Sequence, residues 1–479
     1  MNNKILSIKL SNIKNVKYGE FAFCEKENVL NGIFNDKSDI IGLYGQNGSG
    51  KTTIINVLSL LKYLSLGLNL NRFNDFGVRC KSKYDYILSL DQDDGFIEYE
   101  FLIYYEKKPY IVNYKLGLHK IDLLYNKIQN EKIIITPYFE NEKNCFKRSF
   151  SPLEFDYSYQ KLVYLYDGVK HENDYKFKLE KNNFEDYTYI SALKLNAIKM
   201  NSSIIFNNEY INLLSNSNNE KISIVGNILN QLKKQINYNL FVYDNRDDSL
   251  FEIGIGTLFG VYKDDNENII HGKFLMSIDK FEIKKDEFEM YKGFLNQINI
   301  FISSFVEGFQ TELKIFSEKI KEDGISYLKV AVNRKINNRE LPLSEESAGI
   351  RKLFSISCAI IQVYGNPSAW LAVDELDSGV FEKLLGQIVK VIQDYGKGQL
   401  LFTAHNLNPL ENLNYESIVF STNNPYNRYI RFNKIKKTNN LRDLYLRALS
   451  VGGLKEKLSS DVEEEDINLA LYEAFKKAM

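Results

Sequence analysis

The chain is poor in cysteine, and the few cysteines it has lie far apart. Its 479 residues include only Cys24, Cys80, Cys145 and Cys358, and no two of them form a C-x-x-C pair. Structural zinc sites need clustered thiolates and disulfide frameworks need a denser set, so this spacing argues against both. A chain with so few thiols suits a reducing compartment, and we expect it to be cytoplasmic.

Long hydrophobic runs and an excess of one charge are also missing. No apolar stretch approaches the ~20 residues that a membrane span needs, and the N-terminus lacks the apolar core of a signal peptide. We therefore expect no membrane partner. The 61 Lys and Arg residues nearly cancel the 62 Asp and Glu residues, so the net charge neither supports nor excludes nucleic-acid binding.

One motif near the start of the chain stands out against these absences. Residues 45–52 read Gly-Gln-Asn-Gly-Ser-Gly-Lys-Thr, which fits G-x-x-x-x-G-K-[ST], the phosphate-binding loop of nucleoside triphosphatases. The apolar run 40–44 predicts a buried strand before it, and apolar residues three and four apart predict a helix over 53–61. The alternative, a glycine-rich turn that matches by chance, does not account for both flanks.

The residue types in this loop explain how it can bind a nucleotide. Glycines let backbone N–H groups point at phosphate oxygens, and the helix N-terminus adds positive potential there. Lys51 offers a mobile positive charge to the β- and γ-phosphates, and Thr52 offers its hydroxyl to Mg²⁺. The predicted nucleotide-binding residues are Gly45, Asn47, Gly48, Ser49, Gly50, Lys51, Thr52 and Thr53.

A second apolar strand further along the chain ends in two carboxylates. Residues 370–373 are apolar, and Asp374 and Glu375 follow them. We expect this strand to run beside the strand of the phosphate loop, with both ending at the same edge of a sheet. Asp374 would then hold Mg²⁺ through water, and Glu375 would polarise the attacking water. The alternative is that this is only a structural strand, and that the two carboxylates lie in a solvated turn at its end.

Two more segments carry side chains suited to a phosphate site. The apolar strand 399–403 leads to His405, whose imidazole can hydrogen-bond the γ-phosphate, although a structural histidine is the alternative. Ser347 and Gly349 stand at a predicted helix start, where a hydroxyl and backbone N–H groups can bind phosphate. A simple helix cap is the alternative there, and the two roles are compatible.

Hydrophobic patterning indicates how the remaining chain is organised. Short strands, several of them aromatic-rich, are predicted over 4–10, 18–23, 97–104 and 110–114, which favours an antiparallel β lobe. Helices are predicted over 222–232 and 288–309, whereas 240–243 and 253–256 fit strands or loops.

Along the chain, the motifs occur in the order phosphate loop, Ser-x-Gly helix, Asp-Glu strand and His strand. Motifs in this order resemble those of the ATP-binding-cassette ATPases, and within them the SMC, RecF and OLD-like branch. The resemblance covers about residues 1–70 and 340–432. It implies an α/β fold, in which a P-loop NTPase core with an antiparallel β lobe carries an inserted helical lobe. It also implies a homodimer, or a higher oligomer, that encloses two ATP molecules with Mg²⁺. Ser347 and Gly349 would contact the γ-phosphate held by the other chain, and Asp377 would belong to the loop that crosses the interface.

On this basis we predict four parts of the chain. They are 1–180, the N-terminal half of the ATPase head with the β lobe; 181–340, a mainly helical insertion; 341–440, the C-terminal half of the head; and 441–479, a helical tail. The last helix, over 466–479, has one apolar face, which we expect to dock on the chain's own fold.

The signature segment departs from the usual family pattern. Residues 344–349 read Ser-Glu-Glu-Ser-Ala-Gly and not Leu-Ser-Gly-Gly-Gln, and with residues 378–382 they resemble compact ATPases of bacterial phage-defence operons. That resemblance implies an ATP-hydrolysing sensor or scaffold in antiviral defence or abortive infection. Its partner would be an effector from an adjacent gene, a Toprim-like or HNH nuclease as in PARIS and Septu. DNA or a phage protein would be the trigger.

A DNA-repair ATPase similar to RecF remains the alternative, whereas a transporter motor disagrees with the long insertion. Basic residues over 427–437, with Arg442 and Arg447, fit a DNA surface, but we prefer to interpret them as a solvated edge strand. The acidic clusters 91–94 and 244–248 are predicted to be solvated turns, so we expect no nuclease site in this chain.

Overall fold

The computed structural model describes most of the chain. The described residues are 2–34, 38–70, 72–73, 79–80, 84–122, 125–138, 149–157, 165–166, 176–177, 184–244, 247, 256–263, 269–276, 280–336, 339–431, 442 and 464–478. The strand or loop predicted at 253–255, the basic residues 432–437 and Arg447 lie outside these ranges. Within them, no helix combines the length and apolarity that crossing a membrane requires.

Strands outnumber helices in the described part of the chain. The strands are β1 Lys4–Ile13, β2 Val16–Ala22, β3 Asp39–Tyr44, β4 Arg72–Phe73, β5 Arg79–Cys80, β6 Asp94–Tyr105, β7 Lys108–Asp122, β8 Tyr125–Pro137, β9 Phe150–Asp156, β10 Leu165–Tyr166, β11 Lys176–Phe177, β12 Leu240–Tyr243, β13 Gly256–Lys263, β14 Ile269–Met276, β15 Phe281–Lys284, β16 Thr311–Ile320, β17 Ser326–Ile336, β18 Arg339–Pro342, β19 Trp370–Val373, β20 Gln399–Thr403, β21 Ile418–Ser421 and β22 Tyr429–Ile430. The helices are α1 Lys26–Leu30, α2 Lys51–Ser65, α3 Phe184–Met200, α4 Asn208–Ser215, α5 Glu220–Asn239, α6 Phe288–Ser303, α7 Ala348–Gly365, α8 Glu382–Tyr395, α9 Asn408–Asn412 and α10 Glu464–Ala478.

Six antiparallel strands form the β lobe, in the order β2-β1-β6-β7-β8-β9. Buried and half-buried residues alternate along most of β6, because one face of the sheet packs on the core and the other faces outward. The predicted strands over 4–10, 18–23, 97–104 and 110–114 all belong to this sheet, so the predicted antiparallel lobe is confirmed.

The second sheet forms the core of the fold, in the order β12-β19-β20-β3-β21-β22. Its first five strands run parallel and β22 pairs antiparallel with β21. Every residue of β3, β19 and β20 is buried, as expected of parallel strands covered on both faces. One face packs against α2 and the β lobe, and the other packs against α7 and α8. The α/β core with an antiparallel β lobe is therefore as predicted.

One prediction about this sheet is wrong: β19, which carries the two carboxylates, does not run beside β3. Strand β20 lies between them and pairs with both. Pairing follows from tertiary packing that no local pattern encodes, and the inserted strand separates the two by about 10 Å. The parallel strands still end at the same edge of the sheet, so the residues that follow them converge.

The predicted mainly helical insertion over 181–340 is mixed. It begins with α3, α4 and α5, but β12 joins the core sheet, and β15 to β18 form a four-stranded antiparallel sheet that packs on α6 and α7. The helix predicted over 288–309 ends at Ser303. The four residues of β12 and of β15 are too few to show a period, and β15 pairs with β17 across the intervening α6 and β16, so the sequence pattern did not reveal these strands. Strands β16 and β17 form a hairpin that the sequence patterning did not identify.

The C-terminal tail contains a helix, as predicted, but the predicted docking of that helix is wrong for the residues described. Side chains 467 to 476 of α10 are all exposed, and they include Ile467, Leu471 and Phe475 of the apolar face. An amphipathic pattern shows that one face of a helix is suited to burial, but it does not identify the surface against which that face packs.

Candidate nucleotide-binding site

The phosphate loop connects β3 to α2, and its first glycine is fixed by close packing. A Cβ on Gly45 would lie 2.1 Å from the Ser421 hydroxyl and 2.6 Å from the Ser421 carbonyl oxygen. Gly50 forms the N-cap of α2 with a φ of 95°, a left-handed conformation that glycine adopts without strain. The loop therefore curls as the sequence motif predicts, with the start of α2 directed at its centre.

Most of the predicted site residues line one cavity of about 240 Å³. Among the predicted residues, those that line it are Asn47, Gly48, Gly50, Lys51, Thr52, Thr53, Asp374, Glu375 and His405. Ser49 is an exception, since its hydroxyl donates to the Gln46 carbonyl oxygen and pairs with the Ser421 hydroxyl inside the loop. The Ser49 hydroxyl therefore stabilises the loop through these two contacts.

Lys51 is held inside the loop. Its ammonium donates to the carbonyl oxygens of Gly45 at 2.7 Å and Gln46 at 3.0 Å. Burial lowers its pKa, while the carboxylates of Asp374, Glu375 and Asp377 oppose that shift. A phosphate group entering the cavity would replace two neutral acceptors with charged oxygens, which make stronger hydrogen bonds with an ammonium.

Asp374 carries a buried carboxylate that is only half satisfied. Its Oδ1 accepts from the Thr403 hydroxyl at 2.6 Å and from the Thr52 hydroxyl at 3.4 Å, whereas Oδ2 has no hydrogen-bond partner among the described residues. The residue is fully buried, and desolvation raises its pKa. An orphaned carboxylate oxygen beside a threonine hydroxyl is the hard-oxygen donor set that Mg²⁺ takes, so these residues fit the predicted metal.

Glu375 adopts an unusual backbone conformation that turns the chain at the end of β19. Its φ is 48°, and its N–H donates to the Thr403 hydroxyl at 2.7 Å. Its carbonyl oxygen accepts from the buried Lys352 ammonium at 2.6 Å. These contacts from β20 and α7 stabilise a conformation that costs a non-glycine residue about 1–3 kcal/mol, as occurs at functional sites. Glu375 also lines the phosphate cavity.

Thr403 was missed by sequence reasoning, although it ends a predicted strand. Its hydroxyl donates to the Asp374 carboxylate and accepts from the Glu375 N–H. It therefore joins the end of β20 to the two carboxylate residues that follow β19. A polar residue at the end of an apolar strand is the only signal that the sequence offers.

His405 and Asp377 are joined through the backbone. Asp377 accepts from the N–H groups of His405 at 2.8 Å and Asn406 at 2.6 Å through one oxygen, and its other oxygen has no partner among the described residues. The loop after β19 thereby fixes the loop after β20. His405 is exposed at the cavity lining, which is the placement predicted for contact with a γ-phosphate.

The turn between β1 and β2 supplies two cavity residues that sequence reasoning missed. Lys14 and Asn15 line the cavity, and the Asn15 amide donates to the Gly48 carbonyl oxygen of the phosphate loop. Arg428 fixes this turn, because its guanidinium donates twice to the Asn15 carbonyl oxygen, at 2.7 and 3.1 Å. A basic residue in a hairpin turn was the available signal.

Two other predictions about charged segments have mixed outcomes. Arg428 is buried in these contacts and Arg431 donates to the Ala22 carbonyl oxygen, so the described part of the basic segment stabilises the fold. Residues 91–94 are exposed as predicted, although only 91–93 lie in the connection before β6 and Asp94 is the first residue of that strand. Asp244 and Asp247 are instead buried beside the end of β19, so the prediction of a solvated turn is wrong for them.

Ser347 and Gly349 do not face the phosphate cavity. Ser347 caps α7 by accepting from the Ile350 N–H at 3.3 Å, which confirms the predicted helix start. Both residues line a second cavity of about 380 Å³, together with residues of the α6–β16 loop and α8. Among the described lining residues, none borders both cavities.

A tight backbone contact joins this second cavity to the loop after β19. A Cβ on Gly349 would lie 1.9 Å from the Gly379 carbonyl oxygen, and Gly379 has a φ of 71°. The segment from Asp374 to Gly379 thus runs from the phosphate cavity to the start of α7. A backbone movement at the phosphate cavity can therefore be transmitted along this segment to the second cavity.

We expect Gly349→Ala to lower the free energy of unfolding by about 1–3 kcal/mol, because the added Cβ would overlap the Gly379 carbonyl group and a backbone atom cannot shift without straining the loop. Gly365→Ala is the matched control at the other end of α7, where an added Cβ would meet no atom within 4 Å. That change should be neutral or stabilise by up to ~1 kcal/mol, because alanine favours helix. Chemical unfolding of both variants measures their free energies of unfolding. Equal values would contradict the close contact between residue 349 and the Gly379 carbonyl oxygen.

Part of the chain matches a known protein family. Residues 40–175, well under half of the chain, match the family described as "AAA domain, putative AbiEii toxin, Type IV TA system". No curated protein is similar enough to be matched.

Solved structures of SMC heads and of RecF are among those that are similar to this chain. An SMC head bound to the C-terminal winged-helix domain of ScpA covers 89% of this chain and 98% of its own, at 11% identity and a TM-score of 0.40. The SMC head of Thermotoga maritima covers 90% and 100%, at 10% identity and a TM-score of 0.36. RecF bound to ATP covers 84% and 94%, at 11% identity and a TM-score of 0.33. Likeness at this level carries no argument about activity.

The chain's own features identify its class. A phosphate loop between β3 and α2, an Asp-Glu pair after β19 and a histidine after β20 meet at one edge of a parallel sheet flanked by an antiparallel β lobe. This is an α/β fold with a P-loop core and an antiparallel β lobe, and its cavity offers the ammonium of Lys51 and the start of α2 to a phosphate group.

Proposed function

We propose that this chain hydrolyses ATP with Mg²⁺ at a site shared between two copies, and that it acts as a sensor or scaffold in anti-phage defence. One observation carries the proposal. The resemblance to ATP-binding-cassette ATPases implies that the phosphate loop and the Ser347–Gly349 segment act in one ATP site, yet in one chain they line separate cavities. A second copy can bring its own Ser347 and Gly349 to the phosphate cavity of the first.

Within the cavity, each side chain has a defined task. Lys51 and the loop N–H groups hold the β- and γ-phosphates. Thr52 and Asp374 would hold Mg²⁺, which supplies positive charge beside the phosphates when bound. Glu375, in the cavity lining, accepts a proton from the attacking water, and His405 donates to the γ-phosphate. Ser347 and Gly349 of the second copy close the site and exclude water.

Closure works as a switch because the closed dimer binds ATP better than the open form. The loop from Asp374 to Gly379 connects the phosphate cavity to the face that meets the second copy, so the presence of the γ-phosphate can change that face. Hydrolysis removes the γ-phosphate and reopens the dimer. A scaffold of this kind can hold or release an effector according to its nucleotide state.

The proposed defence role rests on the similarity of residues 40–175 to a family whose description includes a toxin of a toxin–antitoxin system. We place the effector in an adjacent gene and propose that it is a Toprim-like or HNH nuclease. In the described part of the chain, Arg428 and Arg431 donate to backbone oxygens and Arg442 pairs with Glu411. These arginines therefore make contacts within the chain, and the observed contacts do not form a DNA-binding surface.

Mixing two inactive variants tests the shared site. Lys51→Ala disables the phosphate loop of its own chain, and Ser347→Glu places a negative charge where the other chain's γ-phosphate would lie. Each variant alone should lose ATP turnover. Mixed together they should regain part of it, because a mixed dimer contains one site with both an intact phosphate loop and an intact Ser347. If the mixture is as inactive as its components, the site is not shared.

Co-expression with the neighbouring gene tests the defence role. Cells that carry both genes should form fewer phage plaques than cells that carry either gene alone, and Lys51→Ala should abolish that protection without changing the thermal unfolding of the purified chain by much. ATP-dependent retention of DNA without protection would instead support the repair alternative.

A further inference from the structure

The apolar face of α10 is the most conspicuous unpartnered surface in the described part of the chain. Helix α10 has 15 residues, and five large apolar side chains on it are more than half exposed: Ile467, Leu469, Leu471, Tyr472 and Phe475. A lone helix of this length is only marginally stable in water, so it needs a packing partner. Ile467, Leu471 and Phe475 recur every four residues and form one stripe.

The distribution of charge along α10 indicates what that partner is. The helix begins with Glu464-Glu465-Asp466 and ends with Lys476-Lys477, so its two ends have opposite charge. A second α10 laid antiparallel would set the acidic end of each helix beside the basic end of the other. A parallel pair would instead bring like charges together at both ends, which is unfavourable.

The apolar stripe has the same antiparallel symmetry. Leu471 lies midway between Ile467 and Phe475, four residues from each. In an antiparallel pair centred on Leu471, this leucine meets its own copy, and Ile467 of each helix meets Phe475 of the other. Ala470 and Ala474 lie on the same side and allow close approach of the two helices. A surface that is complementary to itself gives a closed two-fold dimer.

We infer that α10 is a self-association helix, which pairs antiparallel with α10 of a second copy through Ile467, Leu471 and Phe475. This contact requires no nucleotide, so it differs from the proposed ATP-dependent closure of the heads. It would keep two heads tethered while their ATP sites are open, which raises the effective concentration for closure.

Light scattering of the full chain without nucleotide tests the inference. The unmodified chain should have twice the mass of one chain. Leu471→Asp should raise the dissociation constant by about 100-fold or more, because each dimer loses two buried leucines. Leu469→Asp is the matched control: Leu469 is similarly exposed, at 57% against 66%, but lies on the opposite side of the helix and should leave the dimer intact.

Cysteine cross-linking then distinguishes the geometry. Under mild oxidation, Leu471→Cys should form a disulfide-linked dimer above the background that the native cysteines set. Leu469→Cys and Ile467→Cys should not, because only residue 471 meets its own copy in the antiparallel pair. A parallel pair would also link residue 467. A monomeric parent chain, or equal linking at 469 and 471, would overturn the inference and point to another occupant, such as the chain's own fold or the effector.

The outcome is separable from that of the proposed ATP switch. A chain with Glu375→Gln and Leu471→Asp should be a monomer without nucleotide and a dimer with Mg-ATP. If it dimerises in neither condition, the ATP switch fails while the α10 result stands. If Leu471→Asp remains a dimer without nucleotide, the α10 inference fails while the ATP switch stays open to test.

Discussion

Glu375→Gln should reduce ATP turnover by about 10²–10⁴-fold while Mg-ATP binding is retained, since proton abstraction by a positioned side chain contributes about that much to rate. The structure places Glu375 in the lining of the phosphate cavity, with a backbone φ of 48° and backbone contacts to Thr403 and Lys352. Glutamine has the same shape and keeps those backbone contacts. Only the ability to accept a proton is lost.

Because the variant binds ATP and cannot remove the γ-phosphate, it should accumulate in the closed state. Light scattering with and without Mg-ATP should show an ATP-dependent dimer that persists for many turnover times of the unmodified enzyme. The Leu471→Asp background removes any nucleotide-independent dimer from this measurement. Glu322→Gln, in the exposed turn between β16 and β17, is a control that should hydrolyse ATP normally. Normal turnover by Glu375→Gln would show that another group activates water.

Local features of the site could be predicted from the sequence because short-range patterns encode them. The strand before the phosphate loop, the helix that starts at Lys51 and the cap at Ser347 all depend on residues a few positions apart. Glycine spacing and capping chemistry act over that same range, so motif and local structure agree.

Strand order and buried polar contacts could not be predicted because they depend on long-range packing. Nothing near residue 370 indicates that β20 would separate β19 from β3, and so the bridging role of Thr403 was hidden. The burial of Asp244 has the same origin: it follows β12, a four-residue strand whose place at the sheet edge only tertiary structure defines. Likewise, the amphipathic pattern of α10 did not specify its partner.

Asp374→Asn should abolish Mg-dependent hydrolysis and yet stabilise the nucleotide-free chain. Burial raises the pKa of Asp374 in the folded state, so folding favours the protonated carboxyl. The stability from that proton is present at low pH and is lost as pH rises through the folded pKa. At neutral pH the ionised carboxylate, with its unpartnered Oδ2, destabilises the fold. Asparagine removes the charge and keeps an oxygen for the Thr403 hydroxyl.

We expect the free energy of unfolding of Asp374→Asn to rise by about 1–3 kcal/mol at pH 7, the range for relieving an unsatisfied buried group. The gain should shrink as the pH falls below the pKa of Asp374, where the unmodified chain is neutral at this position as well. Asp91→Asn is a control at a carboxylate whose pKa is shifted in the opposite direction, because the hydrogen bond from Lys17 lowers the pKa of Asp91. That variant should gain no stability at pH 7. If Asp374→Asn is less stable than the unmodified chain without Mg²⁺, the carboxylate is a structural group and the site is not held ready for a metal.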